Sequence, residues 1–146
     1  MGANGAIKEA TGVELVAHPE EAVNLGGGGV KSSMFGFEAP PSPPADRLIR
    51  EGDNLEIGNL KARIVELRGH SPCGIALLFE DEKVAIVGDA LFAGSIGRTD
   101  FPGGSFENLT SDIRHKLFVL PDETQVFPGH GPATTIGREK RFNPFF

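Results

Sequence analysis

A succession of short apolar runs separated by tight turn signals most constrains the fold of this 146-residue chain. The clearest runs cover residues 60–67, 75–79 and 84–87. Gly58-Asn59 forms a two-residue link before the first of them, which is typical of a β-hairpin. The other two runs are apolar at successive positions, which is typical of strands covered on both faces. The sequence therefore predicts a layered α/β (α+β) domain built around a sheet.

Helices are predicted on either side of these strands. Phe106, Leu109, Ile113 and Leu117 recur every three or four residues, so they form one apolar stripe of a helix that Ser105 caps. The other predicted elements are helices over residues 3–10, directly after Pro19 and over 135–141, and strands over 13–16, 47–50, 55–57 and 125–127. The apolar tail 142–146 is expected to pack on the domain.

Residues 24–45 differ from the rest of the chain. Four consecutive glycines and a later proline-rich run predict a flexible stretch followed by a stiff, extended spacer. The glycines do not indicate a phosphate-binding loop, because the required spacing to a Lys-Ser/Thr pair and the preceding strand are missing. No regular secondary structure is predicted there.

Charge and cysteine content exclude several classes of function. The net charge is -6 with a pI near 5.2, and Lys and Arg form no cluster, so neither nucleic acid nor a membrane is expected as a partner. The one cysteine cannot form an internal disulfide, and the first twenty residues lack the pattern of an export signal. We expect a single cytoplasmic domain over residues 1–146.

Three polar residues follow predicted strands in turns bounded by Gly or Pro. They are His70, Asp89 and His130. Because strand ends deliver polar side chains to one edge of a sheet, we expect the three to meet there. Imidazole and carboxylate are the ligand set of a catalytic zinc or iron site. The pattern therefore predicts a metal site at that edge.

Each of the three residues has a second explanation when it is taken alone. Asp89 follows four apolar residues and a glycine, where a carboxylate needs a compensating partner, and a turn cap satisfies it as well as a metal does. His130 also suits a structural corner, and His70 suits a hydrogen bond to a nearby carbonyl. The order and contexts of the three residues together favour a metal.

The remaining histidines and the cysteine are expected to be structural. His18 precedes Pro19 and is predicted to cap a helix. His115 lies about 200° around its helix from Ile113, so it is expected to face solvent. Cys73 is three residues from His70 and could serve as a thiolate ligand, although a small buried residue at the start of a strand is favoured.

Six segments of the chain carry a family resemblance. They cover residues 4–12, 17–19, 69–72, 87–103, 127–139 and 143–144. In these segments the chain resembles the small glyoxalase II-like (hydroxyacylglutathione hydrolase-like) metallo-β-lactamase-fold hydrolases, which implies a partial αββα sandwich, mostly its C-terminal half. The resemblance further implies two zinc ions, with iron or manganese as substitutes, held by His70, by a bridging and catalytic Asp89, and by His130. Such ions activate water and polarise a carbonyl, so a small-molecule thioester is the implied substrate.

The same resemblance predicts an incomplete site. Family members carry a His-x-His-x-Asp-His motif, which would lie immediately before the segment that begins Met1-Gly2-Ala3-Asn4-Gly5, so the chain is expected to lack the N-terminal part of the domain. Apolar surface would then be uncovered, which predicts self-association. Cys73 stands where the family usually has Gly. Arg98 and Asp100 are candidates for contacting the substrate, with pairing within their own loop as the alternative.

Three functions remain open on the sequence. The first is hydrolysis of a thioester such as a hydroxyacylglutathione. The second follows from residues 97–101, which also resemble the persulfide dioxygenases, whose single iron uses two His and one Asp. The third is an inactive fragment, a pseudo-enzyme or a half that needs a partner, and feeble or no turnover is expected from the isolated chain.

Overall fold

The computed structural model describes residues 3–23, 25 and 42–146. Most of the stretch 24–45, for which a flexible segment and a spacer were predicted, lies outside the described residues. The chain divides into two compact units, residues 1–49 and residues 50–146. That the whole chain forms one domain stays a prediction. Within the described residues, no helix is both long enough and apolar enough to cross a bilayer.

The described residues of the first unit form two helices and two short strands. They are α1 (Asn4–Thr11), β1 (Val16–Ala17), α2 (Pro19–Ala22) and β2 (Arg47–Leu48). Helix α1 ends at Gly12, whose φ of 69° is the left-handed conformation that glycine adopts without strain. The strand predicted over residues 13–16 is wrong before Val16, because the N–H of Leu15 donates to the Asp46 carboxylate and parallel pairing with β2 starts only at Val16.

A mixed sheet forms the centre of the second unit. Its strands are β3 (Asn54–Ile57), β4 (Leu60–Leu67), β5 (Gly74–Phe79), β6 (Val84–Gly88), β9 (Gln125–Pro128) and β10 (Thr134–Thr135), in the spatial order β10-β9-β6-β5-β4-β3. The β6–β9 pair is parallel and the other pairs are antiparallel. Gly58 and Asn59 join β3 to β4, and Gly58 has a φ of 61°. The predicted hairpin is therefore confirmed.

Helix α3 (Phe106–Asp112) covers one face of this sheet and runs into a π-helical turn over Ile113–Leu117. On an α-helix, residues four positions apart are offset by about 40° around the helix axis, so a row of such residues gradually turns away from the face it started on. The wider π turn reduces this drift, and Leu109, Ile113 and Leu117 are all fully buried. Ser105 caps α3 as predicted, because its Oγ accepts a hydrogen bond from the N–H of Asn108.

The core of the second unit lies between this helical segment and the sheet. Its largest members are Val65, Leu67, Leu78, Val87, Leu91, Ile96, Leu109, Ile113, Leu117, Val126 and Ile136. The predicted apolar stripe is wrong at Phe106, which is half exposed and contacts the ring of Phe145 instead of the core. The C-terminal Phe146 packs edge-on against Phe118 with 4.7 Å between ring centroids, so the expected packing of the tail is confirmed.

The opposite face of the sheet carries a row of apolar side chains. Ile64, Leu77, Ile86 and Phe127 are successive cross-strand partners from β4 to β9. Ile86 is 43% exposed and Phe127 is 39% exposed. The expectation that β6 is covered on both faces is therefore wrong at Ile86, because the helical segment covers only the face that carries Ala85 and Val87.

Three described strands have no counterpart in the sequence-based prediction, namely β10 and the two strands of a small hairpin. Strands β7 (Leu91–Phe92) and β8 (Ser95–Ile96) pair antiparallel and form a small hairpin directly after Asp89. Two residues per strand are too few for a periodicity to show. Helix α4 (Ile136–Phe142) follows β10 and agrees with the predicted C-terminal helix within one residue.

Candidate metal site at the edge of the sheet

Strand direction brings the three predicted donors to one edge of the sheet. β4 and β6 are each antiparallel to β5, and β9 is parallel to β6, so β4, β6 and β9 all end at the same edge. His70 follows β4 by three residues, Asp89 follows β6 directly, and His130 follows β9 by two residues. The topology of the sheet therefore brings these three residues together, although they lie far apart in the sequence.

The carboxylate of Asp89 lies between the two imidazoles. Its Oδ1 is 2.7 Å from Nδ1 of His130, and its Oδ2 is 3.9 Å from Nε2 of His70. The side chains of His70 and Asp89 are 26% and 31% exposed, whereas that of His130 is 80% exposed. The structure thus brings the three predicted residues together where solvent reaches them in part. Their role as metal ligands stays a prediction.

A backbone carbonyl fixes the ring of His70. Nδ1 of His70 lies 2.9 Å from the carbonyl oxygen of Arg98, and because a carbonyl only accepts, this nitrogen carries the proton. The edge of Phe101 meets the ring at a centroid distance of 5.6 Å. Nε2 is then the free nitrogen on the side of Asp89. Fixing one ring nitrogen in this way is how proteins prepare the other for a metal.

Glycines at two positions leave room for Asp89. A Cβ at Gly129 would lie 2.5 Å from Oδ1 of Asp89, and a Cβ at Gly97 would lie 1.9 Å from the Asp89 carbonyl oxygen. The N–H of Gly129 also donates to the carbonyl of Gly88 at 2.8 Å. The backbone of Gly129 therefore packs directly against the side chain of Asp89, and that of Gly97 packs against the Asp89 carbonyl. A methyl group at either glycine would force Asp89 or the glycine to move.

Helix α3 anchors the strand end that leads to His70. Gly69 has a φ of 119°, and a Cβ there would lie 2.3 Å from the Ser105 carbonyl oxygen. Asp112 accepts hydrogen bonds from the backbone N–H and the guanidinium of Arg68 at 2.9 to 3.2 Å. Burial raises the pKa of Asp112, but these bonds and the charge of Lys116 outweigh burial, so the pKa is lowered overall.

Arg98 and Asp100 pair with each other. Nε and Nη2 of Arg98 each donate to one oxygen of Asp100 at 2.6 Å, and the guanidinium lies 4.2 Å from the centroid of the Phe101 ring. The hydrogen bond from Arg98 is the main reason why the pKa of Asp100 falls to about 2. This pairing shapes the loop around His70, and a contact of either residue with substrate stays a prediction.

The other histidines and the cysteine lie where the sequence predicts them, and a role of Cys73 as a thiolate ligand stays a prediction. Nδ1 of His18 accepts the N–H of Glu20 and caps α2, which confirms the predicted cap. His115 is exposed on the π-helical turn, as predicted. Cys73 is buried directly before β5.

Sequence reasoning missed Phe101, Glu139 and Asn143 as supports of this edge. Phe101 contacts the His70 ring. Glu139 and Asn143 bind the turn of the β7–β8 hairpin. The sequence carries one signal for Glu139 and Asn143. A charged residue and an amide residue that lie four positions apart on the apolar side of a short helix need buried hydrogen-bond partners.

Comparison with known proteins places this site in a family. The Metallo-beta-lactamase superfamily model matches residues 1–130. The chain superposes on the BLEG-1 B3 metallo-beta-lactamase with a TM-score of 0.91 at 36% identity, covering 99% of this chain and 70% of that one. The chain belongs to the metallo-β-lactamase superfamily, and the expected fold class is confirmed.

Several relatives within the superfamily are informative about function. Hydroxyacylglutathione hydrolase GloC of Haemophilus influenzae is 49% identical over 96 residues, which are 66% of this chain and 45% of that protein. TTHA1623, solved in a di-iron-bound form, matches with a TM-score of 0.87 at 34% identity over 99% of this chain and 71% of that one. ETHE1 from Myxococcus xanthus matches with a TM-score of 0.76 at 32% identity over 97% and 55%. The chain spans about half the length of the first curated relatives it matches.

Proposed function

We propose that this chain carries part of a divalent-metal site that hydrolyses a small-molecule thioester such as a hydroxyacylglutathione. The observation that carries the proposal is the position of the Asp89 carboxylate between His70 and His130, with one oxygen on the side of each imidazole. The identity to a protein named hydroxyacylglutathione hydrolase supports the substrate class.

The donor set fits a divalent cation. Zinc and iron take imidazole and carboxylate ligands, and zinc does so at about 2.0 to 2.2 Å, so one ion could span the 3.9 Å between Nε2 of His70 and Oδ2 of Asp89. In the described part of the chain, no choice of one donor atom from each of the three residues brings all three atoms within 4.8 Å of one another. The three residues as they stand therefore do not form the coordination sphere of a single ion, and the two ions come from the family resemblance.

Zinc is the first choice of metal, because the donors are imidazole and carboxylate. The di-iron form of TTHA1623 supports iron as an alternative, and manganese remains a third option. When bound, such ions would supply an activated water and polarise the substrate carbonyl.

The chain's own residues prepare this chemistry by orientation. The carbonyl of Arg98 holds the proton of His70 on Nδ1 and leaves the lone pair of Nε2 on the side of Asp89. The backbone of Gly129 confines Oδ1 of Asp89, which accepts the Nδ1 proton of His130. Nε2 of His130 is thereby left free on a side chain that is largely exposed. His70 and Asp89 are thus oriented before a ligand arrives, which lowers the cost of assembling the site, whereas the ring of His130 would have to turn to share an ion with Asp89.

Metal titration tests the proposal. Zinc, manganese and, without oxygen, ferrous iron are titrated into the purified chain by calorimetry. His70→Ala, Asp89→Asn and His130→Ala are each expected to weaken binding by at least about 10-fold, because each removes a proposed donor. His115→Ala is the matched control, since this histidine is exposed on a helix. Equal binding by all four variants, or no binding by the wild-type chain, refutes the site.

Activity assays separate the candidate reactions. Release of thiol from a hydroxyacylglutathione, abolished by chelation and by His70→Ala, supports the thioester hydrolase. Oxygen consumption with a glutathione persulfide supports the dioxygenase alternative, which the similarity of residues 97–101 and the ETHE1 match favour. Metal binding without either reaction supports a pseudo-enzyme or a half that needs a partner. We expect the isolated chain to show weak turnover at most.

A further inference from the structure

Glu139 is a buried acid that the proposed chemistry does not use. It lies on α4 and is 1% exposed. Oε1 accepts the hydroxyl proton of Thr134, and Oε2 accepts the N–H of Gly94 at 2.9 Å and the side-chain amide of Asn143 at 2.8 Å. A buried carboxylate is costly to place, and three hydrogen bonds are needed to offset that cost. Glu139 therefore ties two distant pieces of backbone together.

Asn143 completes a connection between α4 and the turn of the β7–β8 hairpin. Its side-chain amide also donates to the carbonyl of Ser95 at 3.0 Å. The hairpin turn is thus held on its N–H side at Gly94 by Glu139 and on its carbonyl side at Ser95 by Asn143. We refer to Glu139 and Asn143 as the α4 latch.

The base of the same hairpin is part of the candidate site. Asp89 directly precedes the hairpin and Arg98 follows it, and the N–H of Gly97 donates to the carbonyl of Ala90 at 3.0 Å. The carbonyl of Arg98 in turn orients His70. A hairpin with two residues in each strand is stiff only if its turn is held, since two-stranded ribbons have little stability alone.

We infer that Glu139 is a positioning residue that fixes the β7–β8 hairpin through the α4 latch. With the hairpin fixed, the carbonyl of Arg98 orients the ring of His70, and the carboxylate of Asp89 is held in the position that a metal requires. The inference rests on the proposed metal site for its purpose, but the orientation of His70 can be measured without a metal. Glu139 acts through the hairpin and touches none of the proposed ligands.

Two substitutions separate positioning from general stabilisation. Glu139→Ala removes the tie to the N–H of Gly94 and also the acceptor that orients the side-chain amide of Asn143 toward Ser95. Glu139→Gln keeps an oxygen toward Gly94 and Asn143 and turns its amide nitrogen toward Thr134, whose hydroxyl is able to accept as well as donate. Lys140→Ala is the control, because Lys140 is the next residue on α4 and binds only Leu120 and Asp122 in the contacts described.

The first measurement is the tautomer of His70 in the metal-free chain, read from long-range proton–nitrogen NMR spectra at a pH where the ring is neutral. The wild-type chain, Glu139→Gln and Lys140→Ala are expected to show the proton on Nδ1. Glu139→Ala is expected to show a mixture of tautomers. The second measurement is zinc affinity by chelator competition, where Glu139→Ala is expected to lose roughly 10-fold and Glu139→Gln much less.

The outcomes distinguish the inference from the proposed function. A Glu139→Ala chain that melts earlier but keeps the wild-type tautomer and zinc affinity overturns the inference, because Glu139 would then be merely structural. A wild-type chain that binds no zinc overturns the proposed function, while the tautomer comparison still decides the inference. If Glu139→Ala does not fold, Asn143→Ala takes its place, since it removes the tie to Ser95 and leaves the bond from Gly94 to Glu139.

Discussion

Replacing Asp112 tests how α3 holds the strand end that leads to His70. The side chain of Asp112 is 7% exposed and accepts the backbone N–H of Arg68 at 2.9 Å. It also accepts Nε and Nη2 of the same residue at 3.1 and 3.2 Å, but the Arg68 side chain is 52% exposed. The backbone bond and the ion pair therefore contribute unequally.

The magnitude follows from this difference. A hydrogen bond to a charged group contributes about 1.5 to 3 kcal/mol. An ion pair with a half-exposed partner adds at most about 1 kcal/mol after solvent screening. We expect Asp112→Ala to lower the free energy of unfolding by about 2 to 4 kcal/mol, since it also leaves the Arg68 N–H without its acceptor. Asp112→Asn keeps an acceptor oxygen and is expected to cost about 1 kcal/mol.

The effect of Asp112 also depends on pH in a defined direction. Its pKa in the folded chain lies below the reference value of 3.8. A carboxyl group with a lowered pKa stabilises the fold at pH values above its unfolded pKa and loses this contribution as the pH falls through its folded pKa. The difference in stability between the wild-type chain and Asp112→Asn should therefore be constant near neutral pH and shrink below about pH 4.

Urea denaturation followed by circular dichroism, repeated from pH 7 to pH 3, measures both effects. Asp122→Asn is the matched control, because Asp122 forms an exposed ion pair with Lys140. This control should change the free energy of unfolding by no more than about 1 kcal/mol. A change below about 0.5 kcal/mol for Asp112→Ala would refute the reasoning, and so would a difference for Asp112→Asn that grows as the pH falls.

Three further predictions concern the site and the exposed sheet face. Gly129→Ala should weaken zinc binding, because its Cβ would lie 2.5 Å from Oδ1 of Asp89 and displace the carboxylate, as chelator competition would show. Ile86→Glu should reduce concentration-dependent self-association in sedimentation experiments while leaving the circular dichroism spectrum unchanged, since Ile86 is 43% exposed on an apolar face. NMR titration should find the pKa of Asp100 near 2 in the wild-type chain and closer to 3.8 after Arg98→Ala.

Each of these predictions has a clear contrary result. Unchanged zinc affinity in Gly129→Ala would show that the carboxylate has room to move. Self-association that persists in Ile86→Glu would place the contact elsewhere, and Val119→Glu is the control, since Val119 is an exposed apolar residue that does not belong to that row. An Asp100 pKa that does not rise without Arg98 would mean that the described ion pair is not formed in solution.

The elements that the sequence determined by itself depend on neighbours along the chain. The hairpin at Gly58-Asn59, the cap of α3 by Ser105 and the cap of α2 by His18 each join residues within three positions of one another. The positions of His70, Asp89 and His130 after strands were also readable, because turn residues and apolar runs mark where strands end.

The tertiary structure decided which of these residues meet. The bond from His70 to the carbonyl of Arg98 spans 28 residues, that from His130 to Asp89 spans 41, and that from Gly94 to Glu139 spans 45. No local pattern specifies such pairs, because they depend on the order and direction of the strands. The same holds for Ile86, whose apolar neighbours predicted burial although the packed helices cover only the other face. Local chemistry thus determined the elements and donors, while strand topology determined the geometry of the site.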